Sequence, residues 1–161
     1  MRITHHVKTV IVLGSCRATL VAMIAPPRKI LLPWEKIERE WRWINVGQGQ
    51  SFVLTYLAKH PDVVEPGATL AGIEVAMPSE NPQAPCVDLI LLKDGEYFVV
   101  EVKDRAYDLD RGAEEALRYA EALKAHLDQN GILYKRIVPV AAAIKFPRGE
   151  AYGPKVGSPI R

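Results

Sequence analysis

Cysteine is nearly missing from this 161-residue chain: Cys16 and Cys86 are the only two, and they are too far apart for metal-ligand spacing. That points to a reduced, cytoplasmic protein, with one Cys16–Cys86 bridge as the alternative. Long apolar runs are missing too. No stretch approaches the ~20 apolar residues that a helix needs to cross a bilayer. The N-terminus carries His5, His6 and Lys8 ahead of only a short apolar run, unlike a signal peptide. A large charge excess is the third absence. Lys and Arg total 21 and Asp and Glu 19, for a formal charge of +2, so composition alone does not announce a nucleic-acid binder, although the basic residues spread through the N-terminal third and the tail.

What remains is ordinary globular material, 48% hydrophobic and 25% charged, long enough for one buried core with at most a small appended lobe. Val7–Leu13, Ala18–Ala25 and Lys29–Leu32 read as short strands, with Gly14-Ser15 and Pro26-Pro27 as breaks. Adjacent His5 and His6 would face opposite ways on a strand and cannot chelate together. After Pro33, Trp34, Ile37, Trp41 and Ile44 keep helical spacing and predict a helix over 34–43. The polar linker at 46–49 sets a boundary: residues 1–45 form a small N-terminal β unit with a Trp-rich helix, 46–146 the core, and 147–161 a Pro/Gly-rich basic tail.

In the core, Gln50–His60 predicts a helix with Phe52, Val53, Tyr56 and Leu57 on its apolar face, stopped by Pro61. Ile73–Met77 reads as a strand. Arg111–Gln129 reads as a helix capped by Asp108 or Asp110, with Ala116, Ala120, Leu123 and Leu127 inward and Gly131 as its stop. Ile132–Lys145 carries a further strand.

Chemistry is concentrated in Pro85–Lys103, PCVDLILLKDGEYFVVEVK. Val87–Leu92 and Tyr97–Val102 have strand compositions, and Asp94-Gly95 between them is the dipeptide that a two-residue type I′ turn prefers. With that turn, facing positions sum to 189, so Asp88 lies opposite Glu101, and Lys103 shares a face with Glu101. Two carboxylates roughly 5 Å apart repel. A divalent cation between them, Mg²⁺ or Mn²⁺, relieves the repulsion. An adjacent ammonium can hold an attacking water or stabilise charge on a phosphate.

Asp88, twelve intervening residues, then Glu101-Val102-Lys103, resembles the active-site signature of the PD-(D/E)XK nuclease superfamily. The closest likeness is to its NucS-like and RecB-like domains. Leu57-Ala58-Lys59-His60-Pro61 is similar to the leucine-x-x-asparagine-proline pattern that ends a helix there, and Val63-Val64-Glu65-Pro66-Gly67 to the turn that follows. Glu115-Ala116-Leu117-Arg118-Tyr119 is similar to the Q-x-x-x-Y motif, with Glu in place of Gln. The likeness covers about Gln50 to Ala143.

The resemblance implies a restriction-endonuclease-like α/β core, a mixed central sheet flanked by helices. It implies a Mg²⁺- or Mn²⁺-dependent endonuclease acting on single-stranded or branched DNA. Asp88, Glu101 and the Val102 carbonyl would ligate the metal. Lys103 would position or deprotonate the attacking water, and Glu115 and Tyr119 would act from the neighbouring helix. Many members carry a glutamate on the helix before the sheet; here that helix has no acid, and Glu74 is the substitute candidate for a third carboxylate. Arg105, Arg111, Arg118 and Lys124 are candidates for phosphate contacts. The alternatives are a catalytically silent nucleic-acid-binding or assembly module of the same fold, and a Holliday-junction resolvase acting as a homodimer.

Overall fold

The computed structural model describes residues 23–41, 52–77 and 85–145. The expected strands at 7–13 and most of 18–25, the linker, the loop at 79–84 and the tail lie outside that set.

The organising element is the hairpin of β3 (Cys86–Lys93) and β4 (Glu96–Lys103). Asp94 and Gly95 have φ of 48° and 81°, both positive as a type I′ turn requires. The pairs run from Lys93↔Glu96 to Leu89↔Val100, each summing to 189 as expected. β2 (Thr69–Ala76) adds antiparallel to β3, with its register broken between Leu70 and Gly72. It begins four residues before the expected strand because it is an edge strand with most side chains exposed, so no alternating pattern marks its start.

On the other side of β4 lies β5 (Arg136–Lys145), parallel to it. The intervening chain crosses over through the long helix α3 (Leu109–Gln129), as a parallel pair demands. β1 (Arg28–Pro33) then pairs parallel with β5, giving a five-stranded mixed sheet in the order β1-β5-β4-β3-β2. Of the residues before position 45, the described part thus extends this same sheet. It runs directly into helix α1 (Trp34–Trp41).

Helices cover both faces. Leu32, Trp34 and Ile37, with Phe52 to Leu54, Tyr56 and Leu57 of α2 (Phe52–Lys59), pack on Leu89, Leu91, Phe98, Val100, Val138, Val140 and Ala142. Opposite strand positions face α3: Val99 and Ile137 meet Ala120, Leu123 and Leu127, while Ala141 and Ala143 meet Leu109 and Ala113. Strands buried on both faces read as near-continuous apolar runs, as β3, β4 and β5 do.

The ends of α3 differ from expectation in detail. The helix starts at Leu109 rather than Arg111, because Leu109 is buried against the sheet. Asp108 occupies the N-cap position but makes no side-chain cap; its carboxylate lies 3.7 Å from Arg111 instead. At the other end Gly131 has φ of 64°. Ile132 N–H donates to Leu127 O at 2.9 Å and Gly131 N–H to Asp128 O at 3.2 Å, a Schellman closure. That closure consumes the residues expected to start the last strand, so β5 begins at Arg136.

Leu57 is fully buried between α2 and the sheet. Leu57→Ala should cost about 2–5 kcal/mol through lost burial and the cavity left behind. Urea unfolding followed by circular dichroism measures it; a cost under ~1 kcal/mol would mean that α2 is not packed on the sheet as described.

Candidate active site

β3 and β4 part company where the chemistry lies. Their ladder ends at Leu89↔Val100, one pair short of the Asp88–Glu101 pair that turn arithmetic predicts. Val87 packs in the α3-side cluster with Ile90, although alternation from Leu89 would send it to the other face. The strand therefore rotates about its axis at Asp88, and the Asp88 carboxylate fills the gap between the strands. Its Oδ2 accepts the Val102 N–H at 2.6 Å, replacing the ladder hydrogen bond. In a strand the N–H and C=O of one residue project to the same side, so the Val102 carbonyl belongs to this gap as well.

β4 carries Glu101 and Lys103 on the face that Val99 shares, under α3. Glu101 is the one charged residue in the core of the described chain, 7% exposed. Its Oε1 accepts from Lys103 Nζ at 2.8 Å, and its Oε2 is buried with no hydrogen-bond partner. Lys103 Nζ also donates to Glu115 Oε2, from the second turn of α3. Lys103 is thus a bridge between a strand carboxylate and a helix carboxylate. Arg111 Nε stands 3.6 Å from the other Glu115 oxygen.

Burial, reinforced by the Asp88 charge and opposed by Lys103, pushes the Glu101 carboxyl up to about 7. Asp88 is raised too, first by burial and then by Glu74 and Glu115, against the Val102 hydrogen bond and Lys103. Burial disfavours the charged Lys103, but the hydrogen bonds and charges of Glu101 and Glu115 outweigh it, and its pKa rises. Glu115 is lowered: its burial is outweighed by the Lys103 hydrogen bond and by the charges of Lys103 and Arg111. Tyr119 is raised by burial and by the charges of Glu101 and Glu115. Held by both glutamates, the Lys103 ammonium is a hydrogen-bond donor and a positive charge beside them.

The remaining candidates are placed unequally. Glu74 is flanked by the pairs Ile73↔Leu89 and Val75↔Val87, and so stands across from Asp88 on β2. Its φ of 48° is left-handed, a conformation that a residue with a Cβ adopts only at some cost. It is exposed, and among the described residues no group of three or more His, Cys, Asp or Glu side chains is disposed around a metal position. Asp88, Glu101 and the Val102 carbonyl are therefore a two-carboxylate set. That still fits Mg²⁺, which is commonly held by one or two carboxylates with water and substrate phosphate completing the shell. The orphaned buried Glu101 Oε2 is the atom that a cation would satisfy.

Of the candidate phosphate contacts, Arg111 is engaged by Asp108 and Glu115, and Lys124 by Asp128 at 2.6 Å. Lys124 also lies about 14 Å along the helix axis from Glu115. Arg118 is exposed on α3. Arg105 donates to the Tyr107 hydroxyl, and its guanidinium lies 5.5 Å from the Tyr107 ring centroid.

Two residues escaped sequence reasoning. Tyr107 is 72% exposed on a short 3-10 turn (Ala106–Asp108) between Lys103 and α3. An aromatic inside the polar stretch Asp104–Asp110 was its only signal. Gly112, buried in the first turn of α3, faces the Lys103 stem, and nothing in the sequence distinguishes it from a neutral helix position. The chain matches none of the known protein-family models and none of the curated proteins with which it was compared.

Glu101 carries a pH signature. A carboxyl at about 7 in the folded protein and near 4.5 when unfolded takes up a proton on folding between those values. Its contribution to stability is therefore full below about pH 4.5, falls as pH rises, and levels off above about 7. Glu101→Gln should flatten that descent and raise the urea midpoint at pH 8 relative to the parent. Equal pH slopes in the two metal-free proteins would remove Glu101 as the titrating group.

Proposed function

We propose that the chain is a Mg²⁺- or Mn²⁺-dependent nuclease that hydrolyses DNA phosphodiester bonds. The observation that carries this proposal is the partnerless buried oxygen of Glu101, a residue held by the Lys103 ammonium on β4, beside the gap that Asp88 fills by accepting the Val102 N–H. Support comes also from the resemblance of Asp88, Glu101-Val102-Lys103 and Glu115/Tyr119 to the PD-(D/E)XK pattern, and from a mixed sheet with a helix crossing over between β4 and β5. That helix brings Glu115 to Lys103.

Asp88, Glu101 and the Val102 carbonyl would hold the ion, which when bound supplies a water of lowered pKa. Lys103, fixed by two carboxylates, donates its protons toward a phosphate oxygen or the attacking water and offsets the negative charge that grows there. Its ion pairs with Glu101 and Glu115 support the positioning role over that of base. Glu115 holds Lys103 from above and is itself steadied by Arg111. Tyr119 orients groups entering beside the two glutamates. Tyr107, with Arg105 over it, offers an aromatic platform at the exit of β4. Base stacking on such a ring requires an unpaired base, which favours single-stranded or branched DNA over continuous duplex.

A second reading has one specific observation in its favour: the Lys103 bridge ties one oxygen of each glutamate without any metal, as a silent assembly module of the same fold would require. Calorimetric titration with Mn²⁺ separates the two, because a silent module has no binding step that Asp88→Ala removes.

Asp88→Ala and Lys103→Ala should each abolish Mn²⁺-dependent cleavage of a labelled oligonucleotide panel (single strand, flap, mismatch, four-way junction) while leaving the circular dichroism spectrum intact. Both variants cutting as fast as the parent would remove the site assignment. In Ca²⁺, Tyr107→Ala should weaken binding of a single-stranded oligonucleotide roughly 5- to 150-fold, the effect of losing one stacked base. Tyr107→Phe should bind as the parent does, and blunt duplex should respond to neither change; fluorescence anisotropy reads all three.

A further inference from the structure

We infer that Gly112 is a positioning residue for Lys103, an inference that rests on Lys103 being the active-site cation. A Cβ built on Gly112 would lie 3.0 Å from Lys103 Cγ, 3.2 Å from Lys103 Cε and 3.3 Å from the Ala141 Cβ. Two atoms of the lysine stem, one near each end, therefore lie against the bare backbone of the first turn of α3. The stem cannot swing away freely. Its ammonium is tied to Glu101 at 2.8 Å and to Glu115, and the side chain is only 12% exposed.

The backbone does not itself call for glycine here. Gly112 is not among the described residues with positive φ, and glycine is among the poorest residues for a helix. What the missing Cβ provides is passage for the lysine stem beneath the helix. Glu115 is three residues on, on the same helical face, so a helix pushed outward at Gly112 carries the Glu115 carboxylate with it. Alanine at 112 must therefore displace Lys103, lift Glu115, or both, by a few tenths of an ångström. A 1 Å misplacement of reacting groups can cost about a hundredfold in rate, so a shift of that size is expected to cost roughly tenfold.

Ala141, on the sheet below, is the competing cause, and the test separates the two contacts. The variants are Gly112→Ala, Gly112→Ala with Ala141→Gly to relieve the sheet contact, and Gly112→Ala with Lys103→Ala to remove the lysine stem. Three measurements are made: kcat and KM for Mn²⁺-dependent cleavage, the rate at which acetic anhydride modifies Lys103 by peptide mass spectrometry, and the urea midpoint. With Gly112→Ala, kcat should fall about tenfold with KM unchanged, and Lys103 should be acetylated several-fold faster than in the parent. Both effects should persist with Ala141→Gly. The gain in urea midpoint from Gly112→Ala should be larger in the Lys103→Ala background than in the parent.

Unchanged acetylation, effects that vanish with Ala141→Gly, or equal midpoint shifts in the two backgrounds would each overturn the assignment. Acetylation and urea unfolding need no catalysis. A parent protein that cuts no DNA defeats the nuclease proposal while these two readouts still decide the role of Gly112.

Discussion

Both central residues of the β3–β4 turn hold positive φ, at 48° and 81°, and the geometry of the site descends from that handedness. A type I′ turn twists with its strands and allows one register. That register sends Glu101 and Lys103 to the α3 face of β4 and brings Asp88 to the same level of the hairpin. A one-residue slip would move both β4 side chains to the α2 face and bury them among leucines. β4 is then held on both sides, antiparallel to β3 and parallel to β5, so a displaced Glu101 would disturb the middle of the sheet.

The price of this arrangement is electrostatic. Three carboxylates, Asp88, Glu101 and Glu115, crowd one ammonium, and the most buried of them has an oxygen without a partner. Burying Glu101 with one oxygen unpartnered costs stability that an apolar side chain of similar size would not. Small residues accommodate the cluster. Gly112, Ala113, Ala116, Ala141 and Ala143 lie between Leu109 at one end of the α3–sheet contact and Leu123 and Leu127 at the other. The helix can therefore come close where Glu115 must reach Lys103 and stand on bulkier side chains elsewhere.

Charge at the rim is largely spoken for. Arg111 and Lys124 are paired with carboxylates on their own helix, while Arg105 is stacked over Tyr107.

What the sequence determined by itself is local or strictly periodic. Asp94-Gly95 selects its turn from its own φ preferences, alternation assigns Glu101 and Lys103 to one face, and Ala116, Ala120, Leu123 and Leu127 mark the buried side of α3. Each rests on chemistry within a few residues. Tertiary structure decided the rest. The ladder ends before Asp88, β1 joins β5 across more than a hundred residues of chain, Glu115 meets Lys103, and Gly112 leaves room for the lysine stem. None of these is legible from spacing, because each is set by tertiary packing; for Glu115 and Gly112 that packing fixes the distance between a helix and the sheet to a fraction of an ångström.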